Sequence, residues 1–282
     1  MERLLPDIVL AKKDAMDKAT FKRLQRIVYE KSGIALSDNK DALVSARVNK
    51  RLRALGIPDP QTYLKYVLKD ETGEEIVNLL DVISTNVTGF FREQHHFVFL
   101  SKAVSEWRAE GQRAFRFWSA GSSTGEEAYS IAMTVLEALD GVRCETRILA
   151  TDISTRVLEE ARAGSYDSSR MKDVPRPLQL RYFEPDGDSQ DRCLRAKPVL
   201  RKTIVFRRLN LASPPFPMRG PFDAVFCRNV MIYFDDAVRR RLLGEVYRLL
   251  RPGGYLMVGH AESLISYDTN FKPVRPSTYV KE

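Results

Sequence analysis

From Arg116 to its C-terminus the chain alternates short strand-like runs with longer segments of helical apolar rhythm. Residues 114–120, "RCETRILATDIS", "TIVFRRLNL", "PFDAVFCRNV", "YLMVGH" and "STYVKE" read as strands. The segment opening at "TGEEAYSIAM", "RVLEEARAG" ending at Gly164, and "DAVRRRLLGEVYRLLRPGG" closed by Pro252-Gly253-Gly254 read as helices. Parallel strands need such crossovers, so the order predicts an α/β domain with a mostly parallel sheet covered on both faces. The last two strands have no helix between them and predict an antiparallel hairpin at the sheet edge. Residues 165–202 break the rhythm with polar, Pro-containing and Asp/Gly-rich sequence, as a small inserted β-rich subdomain would.

The first 85 residues read as helices only. Thr20 is placed to cap a helix whose apolar positions Phe21, Leu24, Ile27 and Val28 share one face. "SDNKDALVSARVNKRLRALG" follows, with Ser37 or Asp38 as cap, Gly56 as stop, and Val44, Val48, Leu52 and Leu55 as its buried stripe. Arg47, Lys50 and Arg51 share the opposite side, with Arg53 nearby. "PQTYLKYVL" and "EEIVNLLDVIS" supply two further helices. Residues 1–85 are expected to form a helical domain and 86–282 the α/β domain.

The net charge of +8 is concentrated: residues 20–69 hold 11 Lys/Arg against 4 acids. Such a segment suits an acidic partner or nucleic acid, or is a solvated helical face; composition by itself favours the solvated face. The three cysteines, Cys144, Cys193 and Cys227, are far apart, with no CxxC and no Cys/His cluster, so neither a disulfide framework nor a zinc site is expected from spacing. "MERLLPDIVLAKKD" is broken by Pro6 and Asp7 and does not read as a signal peptide, and no run reaches the ~18 apolar residues of a membrane span. A cytoplasmic protein without membrane insertion is expected.

"FWSAGSSTGEEAYSIAM" joins a strand to a helix start through small residues. At the carboxyl ends of such a sheet, Gly121 and Gly125 let backbone approach a ligand. The pattern G-x-G-x-x-G is absent, and Glu126 and Glu127 at the helix start would repel a pyrophosphate but attract a cation. A nucleoside with positive charge and no phosphates fits, and S-adenosylmethionine is one. Asp152 ends the next strand, where an acid can accept both ribose hydroxyls or cap the following helix. Asn210 ends another strand and could reach the adenine edge; Arg228 and Asn229 end the next, over the ligand.

"NVTGFFRE", "WSAGSSTGEEAYSIAM", "ATDIS", "RLNL", "FCRNVMIYF" and "RPGGYLMVGHAES" resemble, in this order and spacing, the CheR family of chemoreceptor glutamate methyltransferases. The resemblance runs from Thr20 to the C-terminus. It implies a Rossmann-like methyltransferase sheet with a small all-helical N-terminal domain and an inserted β-subdomain. It implies methyl transfer from S-adenosylmethionine to receptor glutamates, giving glutamate 5-O-methyl esters and S-adenosylhomocysteine. Asn86, Thr88 and Arg92 would border the methionine end of the cofactor, Glu126 its amino group, and Asp152 the ribose. Asn210 and Leu211 would border the adenine, Arg228 and Asn229 would complete the site, and Tyr233 would stand by the methyl group. Arg92 and Tyr233 would hold the acceptor carboxylate, which is already ionised at neutral pH and needs no general base.

The resemblance also gives Arg47, Lys50, Arg51 and Arg53 a purpose, docking on the glutamate-rich methylation helices of receptors. It places the protein in the cytoplasm, recruited to receptor clusters, and nothing requires a dimer, so a monomer is expected. The loop "EPDGDSQDR" is poorer in glycine than in members that grip a receptor tail peptide, which argues against tail binding here. From pattern alone Tyr233 could be plain core and Arg92 a helix-surface ion pair. His95 and His96 are assigned to packing or surface, Cys227 to a buried small residue, and Glu127 to helix capping more than ligand contact. No nucleic acid is expected as substrate: "CRNVMIYF" lacks the Pro-Pro-aromatic motif that amino-methylating enzymes place at that strand end. A binding module without catalysis is the remaining alternative.

Overall fold

Phe115 and Phe117 of β1 (Ala114–Ala120) point to one face of the main sheet and Trp118 and Ala120 to the other, and all four are fully buried. This two-residue period lets one strand serve two cores. The computed structural model describes residues 16–83, 87–187, 193–264, 267 and 269–282.

Four helices come first: α1 (Lys18–Ser32), α2 (Asp41–Leu55), α3 (Pro60–Lys69) and α4 (Glu74–Ile83). They enclose their own core, with Leu24, Val28, Val48, Tyr63 and Leu79 wholly buried. The cap of α1 is Asp17 rather than Thr20: its Oδ1 accepts from the N–H groups of Ala19 and Thr20 at 3.0 and 2.9 Å, while the Thr20 hydroxyl donates to its other oxygen. A carboxylate accepts several bonds at once, so it displaces the hydroxyl as cap.

After α5 (His95–Ala109) and β1 come α6 (Glu126–Leu139), β2 (Glu145–Asp152) and α7 (Thr155–Ala163). The insert follows, as β3 (Ser165–Asp167), α8 (Arg176–Tyr182), β4 (Phe183–Pro185), β5 (Cys193–Ala196) and α9 (Pro198–Arg201). Its strands form an antiparallel sheet in the order β3-β5-β4, with helices between and after them, so it is mixed rather than purely β. Of the loop "EPDGDSQDR", residues 188–192 lie outside the described residues.

The chain returns to the main sheet with β6 (Ile204–Arg208), β7 (Phe222–Cys227), α10 (Asp236–Leu249), β8 (Leu250–Val258), β9 (Phe271–Arg275) and β10 (Thr278–Lys281). Among the described residues the sheet has seven strands in the order β6-β2-β1-β7-β8-β10-β9, parallel from β6 to β8 and antiparallel at β10. The expected terminal hairpin of "YLMVGH" and "STYVKE" is therefore corrected: β10 does pair with β8, but β9 precedes it and forms the edge. Pro273 and an almost wholly exposed burial pattern hide β9 from periodicity, and both are habits of edge strands. Pro252-Gly253-Gly254 fall within β8, since α10 already ends at Leu249.

Strand order reverses between β1 and β7, which opens a crevice at their carboxyl ends. The helical domain sits over it. The Ala35 N–H donates to the Tyr233 carbonyl at 2.9 Å, Ile34 bridges to Phe234, and the Tyr29 hydroxyl donates to Asp235 Oδ2. Gly33 makes this closeness possible: it ends α1 at φ 71°, and a Cβ there would stand 2.3 Å from the Ala212 Cβ. Among the described residues no helix is long and apolar enough to cross a membrane.

Candidate active site

The turn after β1 is built by hydrogen bonds to β2. The N–H groups of Gly121 and Ser122 both donate to the Thr151 carbonyl, at 2.8 and 2.9 Å. Gly121 has φ 82°, and a Cβ on it would meet Val230 Cγ2 at 2.3 Å, so glycine is required where the loops after β1 and β7 touch. Gly125, expected at the ligand, instead lets α6 approach its neighbours. A Cβ there would stand 2.8 Å from the Ala161 Cβ on α7 and 3.0 Å from the Tyr166 hydroxyl in the insert.

Above this turn lies a cleft of about 1260 Å³, its open mouth included, between the helical domain and the strand ends. Thr88, Gly121, Asp152 and Leu211 line it, as do Arg92, Asn210, Arg228, Asn229 and Tyr233. Asn86 lies outside the described residues. Asp152 is buried: Oδ2 accepts from the Ser123 N–H at 2.9 Å and Oδ1 from the Ser154 N–H at 3.0 Å. Burial pushes its carboxyl above the ordinary aspartate value, against the pull of these N–H groups. Each oxygen keeps a further lone-pair direction, enough for a ribose diol.

Of the two acids at the start of α6, the cleft takes Glu127 and not Glu126. Glu126 is fully buried, ion-paired to Arg170 of the insert and bonded by the Thr124 hydroxyl at 2.7 Å. Its assignment to the cofactor's amino group is thereby corrected. Glu127 accepts from the Ser119 hydroxyl at 2.7 Å and from Arg228 Nη1 at 3.1 Å. Burial pushes its carboxyl up, while Arg228 and Ser119 pull it down. The Arg228 side chain is only 2% exposed, also reaches Glu93 Oε2 at 3.3 Å, and donates to the Arg92 carbonyl. Its charge is thus met by two carboxylates, and it presents no open anion site.

Asn210 borders the cleft with its amide engaged elsewhere: Nδ2 donates to the Lys31 carbonyl at 2.9 Å, and Oδ1 accepts from the Ala212 N–H at 3.0 Å. It ties the helical domain to the sheet. Asn229 has φ 58°, a left-handed conformation that asparagine tolerates. One buried carboxylate holds that turn: Glu262 accepts from the N–H groups of Asn229 and Gly259 at 2.7 Å each, and of Ile232 at 3.2 Å. Arg92 is exposed at the mouth and donates to the Val87 carbonyl at 3.0 Å; Tyr233 is half-buried in the cleft wall.

The expected docking quartet divides. Lys50 and Arg53 are exposed on α2. Arg51 is not available, because it forms a two-bond ion pair with Glu75 at 2.9 and 2.6 Å. Arg47 lines the cleft and donates to the Ile83 carbonyl at 2.6 Å. Both arginines flank the buried stripe of α2, next to α4, and so turn inward.

Sequence reasoning missed Glu127 as a lining residue, Arg47 in the same cleft, and Glu262 behind Asn229. The doubled acid signalled that one carboxylate faces the ligand, but only the insert decides which. The assembled wall suits a nucleoside bearing hydroxyls and positive charge: Asp152 and Glu127 line it together with Gly121, and of its arginines Arg228 is already held by two carboxylates.

Comparison with known proteins agrees. Residues 19–84 match the family model described as the CheR methyltransferase all-alpha domain, and residues 86–280 the CheR methyltransferase SAM binding domain. The chain is 38% identical over 271 residues to a chemotaxis protein methyltransferase of Borreliella burgdorferi, covering 94% of each. It is 38% identical to the chemotaxis protein methyltransferase of Escherichia coli, covering 91% of this chain and 88% of that one. For that of Salmonella typhimurium the identity is 39%, covering 88% and 85%. S-adenosylmethionine is the cofactor of the site. The chain belongs to the CheR family of S-adenosylmethionine-dependent chemotaxis methyltransferases.

Proposed function

We propose that the protein methylates glutamate side chains in the cytoplasmic helices of chemoreceptors, giving glutamate 5-O-methyl esters and S-adenosylhomocysteine. The observation that carries this reading is the sorting of charge around one cleft. Buried Asp152 and mostly buried Glu127 line it, with Arg228 neutralised between two carboxylates, while exposed Arg92 and half-buried Arg47, from different domains, line the same space. An acidic interior suits a sulfonium donor, and cations near the mouth suit an anionic acceptor.

Bound S-adenosylmethionine supplies a methyl group activated by its sulfonium charge. The protein has to hold, orient and dry the reactants. A glutamate carboxylate is ionised at neutral pH, with an ordinary pKa of ~4.3, so no base has to remove a proton. Arg92 draws in the carboxylate by charge, and the Tyr233 hydroxyl orients it by a hydrogen bond. Lys50 and Arg53 on the exposed side of α2 steer the glutamate-rich receptor helices; the protein acts as a monomer in the cytoplasm, at receptor clusters. The test is incubation with S-adenosylmethionine and the cytoplasmic fragment of a chemoreceptor, followed by peptide mass spectrometry. A base-labile methyl on glutamate is expected. Methylation of lysine or asparagine, or none, would overturn the reading.

A further inference from the structure

The chain has three histidines, and they meet at one place. His95 and His96 open α5, and His260 stands just beyond β8. The ring centroids of His95 and His96 are 4.1 Å apart, and those of His95 and His260 are 4.8 Å apart. Glu93 joins them: ligand atoms of Glu93, His95 and His96 all lie within 4.8 Å of one another. Methyl transfer to a carboxylate uses none of these imidazoles.

His96 is wholly buried, and among the described residues neither of its ring nitrogens has a hydrogen-bond partner. The backbone of Ser277 lies close enough to the ring to act on its charge. Glu93 Oε2 is also buried without a hydrogen bond; Arg228 Nη2 stands 3.3 Å from it as an ion pair, and His96 Nδ1 stands 3.5 Å away. Buried polar groups are seldom left bare, and each such case calls for an explanation. The separation itself offers one. Two ligands held ~2.0–2.1 Å from a tetrahedral ion stand roughly 3.3 Å from each other. The chain has also been bent to bring them there, since Glu93 lies at φ 56°, which only a few non-glycine residues adopt. His95 and His260 are exposed and give a path from solvent.

We propose that Glu93, His95 and His96, with His260 at the mouth, form a site for a divalent transition-metal ion of the zinc class. Imidazole nitrogens with one carboxylate select zinc, cobalt or nickel over magnesium or calcium, which take oxygen ligands. The nearby guanidinium of Arg228 does not forbid a cation, because Glu93 and Glu127 together outnumber its single charge. Glu93 is shared between this site and Arg228, and Arg228 borders the cofactor cleft. An ion that draws Glu93 to itself takes one of the two carboxylates from Arg228, so metal and cofactor are coupled through it and change each other's affinity by the same factor. This site does not depend on which acceptor is methylated.

The test uses the untagged full chain, stripped with a chelator and titrated with Co²⁺ and then Zn²⁺. One cobalt per chain is expected, with the intense visible bands of a tetrahedral site and no thiolate charge-transfer band. Zinc should displace it. His95→Ala, at an exposed position, should weaken zinc at least tenfold. Because the chain has no other histidines, an imidazole nitrogen NMR spectrum reads this cluster alone, and the His95 and His96 signals should move together on zinc addition. No stoichiometric binding, binding unchanged by His95→Ala, or a cobalt spectrum of sulfur ligation would overturn the proposal.

Discussion

Arg228 Nη1 lies 3.1 Å from Glu127 Oε2, so the acid that faces the cofactor cleft is braced by a guanidinium arriving from β7, on the far side of the switch point. Its neighbour Glu126 is braced by Arg170 from the insert and faces away from the cleft. Glu127→Gln should therefore raise the Kd for S-adenosylhomocysteine about tenfold or more, through the lost charge and the weakened hold on Arg228. Glu126→Gln should lower the melting temperature and move that Kd much less. Calorimetric titration beside thermal melts separates the two; equal effects on Kd would show that the cleft does not distinguish the pair.

Asp152 makes a prediction whose sign differs between binding and stability. Burial raises its carboxyl above the ordinary value of ~3.9. With Asp152 assigned to the ribose, only its ionised form would accept both hydroxyls, so cofactor affinity should fall as pH drops through that raised value, earlier than an ordinary aspartate would allow. The folded chain takes this proton more readily than the unfolded one, so the residue's contribution to stability grows as pH falls. Asp152→Asn should cost about 2 kcal/mol of binding, roughly thirtyfold, and flatten the acid limb of the affinity profile. An unchanged limb would assign it to another group.

The sheet was legible because β7 and the carboxyl-terminal halves of β1 and β2 are largely buried and stand between turn signals, and because glycines mark the turn that crosses to α6. The site was legible where a residue ends a strand: Asp152, Asn229 and Leu211 all line the cleft. It failed where a distant partner decides orientation. Glu126 turns toward Arg170, 44 residues on, and Asn210 spends its amide on Lys31, 179 residues back. Arg51 looked like surface because helical spacing does not reveal the Glu75 that waits for it on α4. The histidine cluster was invisible for the same reason, since His260 closes on His95 only once β8 has run beside β7.

Within the helical domain, Glu75 accepts bonds from Arg51 and, at 2.7 Å, from the buried hydroxyl of Tyr63. Burial alone would raise its carboxyl, but the bonds from Arg51 and Tyr63 outweigh it and hold the group below its ordinary value. A carboxyl lowered in the folded state stabilises fully above the ordinary glutamate range, and that stability is lost as pH falls through the lowered value. Glu75→Gln should destabilise the chain by about 2 kcal/mol at neutral pH and make its acid unfolding curve flatter. Urea melts at neutral and acid pH measure this; a variant as acid-sensitive as the wild type would refute the assignment.

On the proposed reading, receptor docking rests on fewer side chains than the basic composition suggested. Arg51 is bound to Glu75 and Arg47 faces the cleft, which leaves Lys50 and Arg53 on the exposed side of α2. The action proposed for them is electrostatic steering between solvated charges, which salt screens over about 10 Å at 0.1 M. The double substitution Lys50→Glu and Arg53→Glu should raise the KM for a receptor fragment several-fold at low salt, leave S-adenosylhomocysteine binding unaltered, and lose most of its effect at high salt. Arg51→Glu is the contrasting control: it sets two carboxylates against each other beside Tyr63, so it should unfold the helical domain rather than weaken docking selectively. A KM unmoved by the double substitution would return α2 to the status of a solvated face and shift receptor recognition to the cleft's own arginines, Arg92 and Arg47.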